Sequence, residues 1–342
     1  MSIITIVGSG MMGSAMSVPA ADNGHQIRLV GTPLDREIIA SVQKNRYHPR
    51  LDFTLPEAVQ AYQIEQLQEV LPGSDLLIGG ISSFGIKWFE EQVLPLLPDR
   101  LPVLLVTKGL EAQPDGNLLP FPLAIGSRLA QPRPLHAIGG PCTSYELIRR
   151  QHTAVAFCGS DLELLQWQRK LLATEYYHVR CTTDVKGLEC AVALKNAYAL
   201  AVTMAVGMTE RQHGIDCPEF YNPAAALFGQ SVREMGRLIR LLGGQPDCIS
   251  YAAGDLYVTV YGGRTRKLGR LLGRGLSFQE AKKELADVTL ESVAIVSSTA
   301  QALRQQAASG RVRLEDYPLL MMLDAIINHQ AEVQVPWDRF GE

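Results

Sequence analysis

The chain opens on a run of β-branched apolar residues, Ile3 to Val7, which breaks at Gly8 and gives way to "GSGMMGSAMSVPAADNG" before a second apolar run, "QIRLV". Short apolar runs bounded by glycine read as buried strands, and strand–helix–strand in this spacing reads as a βαβ unit. The alternation continues through "DLLIGGI" from Asp75, "VLLVTKGL" from Val103, "HAIGG" from His136 and "HTAVAFCG" from His152. Such regularity predicts a mostly parallel sheet with helices on both faces. Ligands of such sheets sit beyond the carboxyl ends of the strands, where Gly79 to Phe84, Lys108 and Gly139 to Thr143 fall. Pro19 lies inside the first helical stretch and predicts a kink or an early stop.

From about residue 185 the pattern changes. "DVKGLECAVALKNAYALAVTMAVGM" is apolar almost all round, the mark of a helix buried on every side. The stretches "NPAAALFGQSVREMGRLIRLLGG", "SFQEAKKELADVTLESVAIVSSTAQALRQQ" and "YPLLMMLDAIINHQ" are also helical in pattern. The expected fold class is therefore α/β: a doubly wound, Rossmann-like dinucleotide-binding domain over residues 1–185, followed by an all-α substrate and catalytic domain over 186–342. The 342 residues of the chain suit two domains at roughly 150 residues each.

Composition narrows the partners. With 32 basic against 35 acidic residues there is no global field to hold nucleic acid or an anionic membrane, so any anion chemistry is local. The six cysteines are scattered, without a C-x-x-C pair or a histidine at ligand spacing; this argues against a disulfide framework and against a metal site, and fits reduced thiols in a cytoplasm. The N-terminus lacks a charged leader region, and the most apolar stretch, "AYALAVTMAVGM", is about a dozen residues against the roughly 20 of a membrane span. A soluble cytoplasmic protein is expected.

Three local features carry chemistry. Gly8, Gly10 and Gly13 form G-x-G-x-x-G between a strand and a helix, the context in which the motif binds a dinucleotide. Gly8 permits the tight turn, Gly10 lets the backbone approach a pyrophosphate, and Gly13 lets the helix pack on the strand. The second strand ends "LVGTPLDR", with Gly31 and Thr32 where an acid would grip the ribose of NAD, so both NAD and NADP stay open. Asp35 comes a few residues late and reads as a helix N-terminal residue. The second feature is Lys195 with Asn196 in the buried helix. A lysine there loses several kcal/mol of hydration unless partnered, which points to a cation facing a cleft, against a surface lysine that snorkels. The third is "YGGRTRK" at 261–267, two glycines before three cations: an anion site, or a solvated loop opening a helix. Nucleic acid is disfavoured there by the lack of interleaved aromatics. His25, His136, His152 and His178 adjoin strands and read as core or edge residues.

Taken in order, "VGSGMMGSA", "VTKGLE", "GGPCTSYE", "DVKGLECAVALKNAYALA" and "GDLYVTVYGGRTRKLG" resemble the motifs of the NAD(P)-dependent sn-glycerol-3-phosphate dehydrogenase family over most of the chain. The resemblance implies reversible reduction of dihydroxyacetone phosphate, as in glycerophospholipid metabolism, with NAD or NADP as cofactor. It carries Lys195 over as the catalytic lysine with Asp255 and Lys108 beside it, and Arg264, Asn196, Thr259, Thr265 and Gly263 as the substrate-binding set. For the cofactor it implies Gly8, Ser9, Gly10, Met11, Met12, Gly13, Thr32, Phe84, Lys108, Pro141, Arg264 and Glu291; no metal is expected. The implied partners are a small anionic, phosphorylated substrate, neither nucleic acid nor a membrane span, and a homodimer among the assemblies admitted.

The chain departs from the family pattern in places. Arg-Asn-Arg becomes Arg264-Thr265-Arg266; the stretch "GGISSFG" loses a proline; "TERQHGIDCPEFY" is insertion-like; Ala224 replaces a frequent basic residue; and the tail from Arg311 is long. These leave room for a sister dehydrogenase acting on another small phosphorylated or carboxylated 2-hydroxy or keto compound. A non-catalytic NAD(P)H-sensing protein is the reading from a different class.

Overall fold

The computed structural model describes residues 1–215, 217–218, 220–285 and 290–341. The chain divides into two compact units, Met1–Lys108 with Phe121–Val185 and Gly109–Pro120 with Lys186–Glu342.

The first unit is built on an eight-stranded sheet. From edge to edge it runs Tyr177–Thr182, Thr153–Cys158, Leu135–Gly139, Val103–Leu105, Leu76–Gly79, Ile3–Val7, Gln26–Val30 and Val59–Tyr62. All neighbours are parallel except Leu135–Gly139 against Thr153–Cys158. The opening strand is central, with Ile4 paired to Ile27 on one side and to Leu76 on the other. Its neighbours cover both edges and helices cover both faces, which is why the run is continuously apolar; Ile4, Ile6, Leu29, Ile78 and Leu104 are fully buried. Two edge strands escape the sequence reading, Val59–Tyr62 and Tyr177–Thr182. Exposed polar residues stand inside both, Gln60 in the first and His178 and Arg180 in the second, so the apolar run is interrupted.

The first helical stretch is broken as Pro19 leads one to expect, into Met11–Ala15 and Ser17–Asp22. The break falls a turn before the proline because Pro19 has no N–H for the carbonyl of Ala15, four residues back.

In the second unit the central helix, Val185–His213, has Leu188, Ala197, Tyr198 and Leu200 fully buried. This helix corrects the membrane estimate. At 29 residues it is long and apolar enough to cross a bilayer, yet 83% of its apolar window is buried inside the fold. Around it lie Tyr221–Leu241, Ile249–Val260, Gly263–Gly273, Glu291–Ala308 and Pro318–His329. Tyr198 donates to Glu234 Oε2 at 3.0 Å, and the same carboxylate accepts from Gln230 Nε2 and from the N–H groups of Leu319 and Leu320. Burial pushes the Glu234 carboxyl above the usual range, against the pull of these four donors.

The division of the chain also differs from a single cut after residue 185. The hairpin Leu110–Ala112 and Leu118–Pro120 belongs with the helical unit, where Gln306 Nε2 donates to the carbonyl of Gly116 at 3.3 Å.

Candidate active site

In the first unit Gly8 and Gly10 lie between the opening strand and the helix Met11–Ala15, and Gly13 lies within that helix. Gly8 has φ +105°, and a Cβ there would lie 2.6 Å from the carbonyl oxygen of Gly80; one at Gly13 would lie 2.2 Å from that of Gly8. Both positions exclude any side chain. A Cβ at Gly10 would meet a single atom, at 3.9 Å, so this part of the loop is open to a ligand's approach. The cradle fits a pyrophosphate: bare backbone at a helix start, with no side chain in the way. Met11 is partly exposed and Met12 half-buried, while Ser9 is fully buried.

Asp35 precedes the helix Arg36–Asn45 at its N-cap, but its carboxylate does not cap that helix. Oδ2 instead accepts from the N–H of Ser9 at 3.2 Å, the N–H of Thr32 at 2.9 Å and the hydroxyl of Thr32 at 2.8 Å. Thr32 is thereby tied to the glycine loop, and Arg36 is ion-paired with Glu65. On the other side of Ser9, His48 Nε2 lies 2.9 Å from the Ser9 carbonyl. Its Nδ1 accepts from the N–H of Leu51 at 3.1 Å, which leaves the ring proton on Nε2 to be donated to Ser9. Burial holds the His48 pKa below the ordinary value, so the ring is neutral.

The other first-unit candidates follow the sheet's carboxyl ends. Lys108 Nζ donates to the carbonyl of Gly140 at 3.2 Å, beside the half-buried Pro141, and Thr107 donates to the carbonyl of Ile81 at 2.7 Å. Phe84 sits in the turn Ser83–Gly85 and is exposed.

In the second unit the lysine of the buried helix has a partner. Lys195 Nζ donates to Asp255 Oδ1 at 2.6 Å and to the Thr259 hydroxyl at 3.0 Å. Thr259 in turn donates to the Asp255 carbonyl at 2.6 Å. Asp255 and Thr259 stand four residues apart on Ile249–Val260, one helical turn, so both reach the same ammonium. The Lys195 side chain is 13% exposed and that of Asp255 1%, so the pair is largely enclosed. The snorkelling reading therefore fails. Asn196 adjoins it, half-buried.

"YGGRTRK" forms the start of the helix Gly263–Gly273. A Cβ at Gly262 or Gly263 would meet nothing within 4 Å, and Arg264 stands exposed in the first turn. Thr265 is nearly buried, and Arg266 donates to the carbonyl of Val260 at 2.8 Å. Arg270 and Arg274 both donate to the carboxylate of Glu210 on the central helix. A cavity of about 280 Å³ adjoins this segment, lined among others by Ala224, Tyr261, Arg266 and Arg270. The insertion-like segment contains Asp216 and Glu219, which lie outside the described residues. Glu291 begins the helix Glu291–Ala308 and is half-buried. Among the described residues no cluster of metal-ligating side chains occurs.

The structure thus gathers Lys195, Asp255 and Thr259 into one hydrogen-bonded group, and Gly263, Arg264 and Thr265 into one helix start. Thr32 is tied to the glycine loop through Asp35. His48 is the residue that sequence reasoning missed, since it lies in a short hairpin, Tyr47–His48 with Phe53–Thr54, outside every motif. Its one sequence signal is being a histidine before a proline in the mixed stretch "NRYHPRLDF", which is too weak to select it.

Residues 3–164 match the family model described as NAD-dependent glycerol-3-phosphate dehydrogenase N-terminus, and residues 184–337 the corresponding C-terminus. The NADP(+)-dependent glycerol-3-phosphate dehydrogenase of Archaeoglobus fulgidus is 36% identical over 286 residues, covering 83% of each chain. The chain belongs to the glycerol-3-phosphate dehydrogenase family. The glycerol-3-phosphate dehydrogenase [NAD(P)+] of Shouchella clausii is 27% identical, over 84% of this chain and 83% of its own. Among solved structures, glycerol-3-phosphate dehydrogenase from Coxiella burnetii shares the fold with a TM-score of 0.80 at 23% identity, covering 97% of this chain and 96% of that one. The yeast glycerol-3-phosphate dehydrogenase does so at 0.79 and 20% identity, covering 100% and 99%. As a member of the glycerol-3-phosphate dehydrogenase family, the chain is an NAD(P)-dependent oxidoreductase acting on a CH–OH group.

Proposed function

We propose that this chain interconverts dihydroxyacetone phosphate and sn-glycerol 3-phosphate, with Lys195 as the group that gives and takes the proton at the substrate's C2 oxygen. The observation that carries the reading is the Lys195 ammonium, on a largely buried helix and held by Asp255 and Thr259 of a second helix. When bound, the reduced nicotinamide supplies hydrogen with its electron pair to the ketone carbon. Negative charge then grows on the ketone oxygen, and a preorganised ammonium both stabilises that charge and donates the proton that completes the alcohol. Asp255 holds and aims the lysine, and Thr259 fixes a second direction of its ammonium. Arg264 is the phosphate anchor: a guanidinium fork matches phosphate oxygens, and the bare glycines before it admit close approach. Asn196 and Thr265 complete the substrate set. For the coenzyme, the bare glycine loop supports Gly8 to Gly13 as the pyrophosphate cradle, with Thr32, Phe84, Lys108 and Pro141 of the same unit beside it. The scattered, unbridged cysteines support a cytoplasmic location.

Lys195→Ala is expected to lower kcat by about 10²–10⁴-fold in NAD(P)H oxidation with dihydroxyacetone phosphate, while coenzyme binding by fluorescence titration stays near that of the wild type. Comparable turnover in the variant overturns the assignment. Failure of the wild type to consume dihydroxyacetone phosphate, alongside turnover of another anionic ketone, overturns the substrate.

A further inference from the structure

The glycine loop is gripped from outside the fingerprint. Ser9, its second residue, is fully buried, with its N–H donated to Asp35 and its carbonyl accepting from the neutral His48 ring. A trans peptide is planar, so a carbonyl and the N–H that follows it point in opposite directions. Holding the Ser9 carbonyl on His48 therefore turns the Gly10 N–H to the other side of the loop. The Ser9 N–H is itself consumed by Asp35, and the loop's remaining direction is set before any ligand arrives.

We propose that His48 and Asp35 are positioning residues that clamp the two peptides flanking Ser9 for the coenzyme pyrophosphate, Asp35 on the Gly8–Ser9 N–H and His48 on the Ser9–Gly10 carbonyl. Asp35 is thereby withdrawn from the ribose, so that the clamp acts alike on NADH and NADPH. The inference rests on the coenzyme reading given under the proposed function. Asp35 is the acidic residue nearest the end of the second strand, yet it is only 7% exposed, and one of its oxygens takes three donors from Ser9 and Thr32. Such a carboxylate braces the loop from beneath and does not present itself to a sugar. His48 is fully buried and packs its hairpin beside the helix that Asp35 precedes, so the two braces meet the successive peptides on either side of Ser9 from separate segments.

The test is equilibrium titration of NADH and of NADPH, followed by coenzyme fluorescence, on the wild-type chain and on His48→Phe, His48→Gln, Asp35→Ala and Asp35→Asn. Thermal unfolding without coenzyme reports whether each variant is folded. Loss of one buried hydrogen bond from the loop is expected to raise the dissociation constants of both coenzymes together, by about tenfold, in His48→Phe and Asp35→Ala. His48→Gln, whose amide N–H reaches Ser9, and Asp35→Asn, whose carbonyl still accepts, are expected to recover to within about threefold, the cost of well under one kcal/mol. A purely structural role would lower the unfolding temperature without this pattern of rescue. Folded variants that bind both coenzymes as tightly as the wild type overturn the clamp. So does a loss in Asp35→Ala confined to NADH, which would make Asp35 the ribose acid. A wild-type chain that binds neither coenzyme overturns the dehydrogenase reading, and the clamp with it.

Discussion

At the scale of single residues, the chemistry rests on a largely buried cation whose partners the fold supplies. Lys195 is legible in the sequence because a cation in an all-round apolar helix is costly without a partner. Which groups partner it is a matter of distance: Asp255 and Thr259 lie 60 and 64 residues further along and meet it at 2.6 and 3.0 Å. Arg264 is the reverse case, exposed at a helix start between bare glycines and more basic residues. Its proposed role makes a clear demand on geometry, because a lysine keeps the charge but loses the fork. Arg264→Lys is expected to raise KM for dihydroxyacetone phosphate about tenfold or more with a smaller change in kcat, as steady-state kinetics at saturating coenzyme will show. Equal KM in the variant would remove Arg264 from the phosphate.

At the scale of elements, the central helix and the helix after "YGG" approach until backbones touch. A Cβ at Gly207 would lie 2.0 Å from the carbonyl oxygen of Arg270, and one at Gly273 would lie 2.1 Å from that of Met204. The helix carrying Lys195 and the helix carrying Arg264 are therefore locked in one register, and glycines that read as ordinary helix breakers are there for packing. Glu210 closes the same seam by accepting from Arg270 and Arg274. Burial alone would raise its pKa, but the hydrogen bonds from these two guanidinium groups outweigh burial and hold the carboxyl below its ordinary 4.5. A carboxyl whose folded pKa is depressed contributes stability that is present above the unfolded value and lost as pH falls through the folded one. Glu210→Gln is thus expected to cost on the order of 1–2 kcal/mol at pH 7, discounted for the partly exposed arginines. The gap to wild type in thermal unfolding should narrow as the pH drops below about 4.5. A gap that does not change with pH would mean that the pair holds no charge-dependent stability.

At the scale of the whole molecule, the chain is not cut once into two halves. It leaves the nucleotide unit after Lys108 to form a hairpin with the helical unit, and rejoins the sheet from Phe121. Leu110 and Leu118 are buried, and a side chain at Gly116 would run into Gln305. In the full chain the hairpin should resist limited proteolysis between Gln113 and Asn117, whereas a fragment ending at residue 185 should be cut there readily, as mass spectrometry of the digests will report. Equal resistance in the fragment would show that the hairpin does not depend on the helical unit. What the sequence alone determined is whatever depends on neighbours along the chain: the central strands, the three glycines, the break caused by Pro19, and the polar residues stranded in an apolar helix. Edge strands were lost because one solvent-facing side dilutes their pattern. His48 on Ser9, the inward turn of Asp35, the acceptors of Lys195 and the seating of the hairpin were decided by tertiary structure alone. Each joins segments far apart in sequence, and a residue's type states that a buried polar group needs a partner without stating which one the fold will bring.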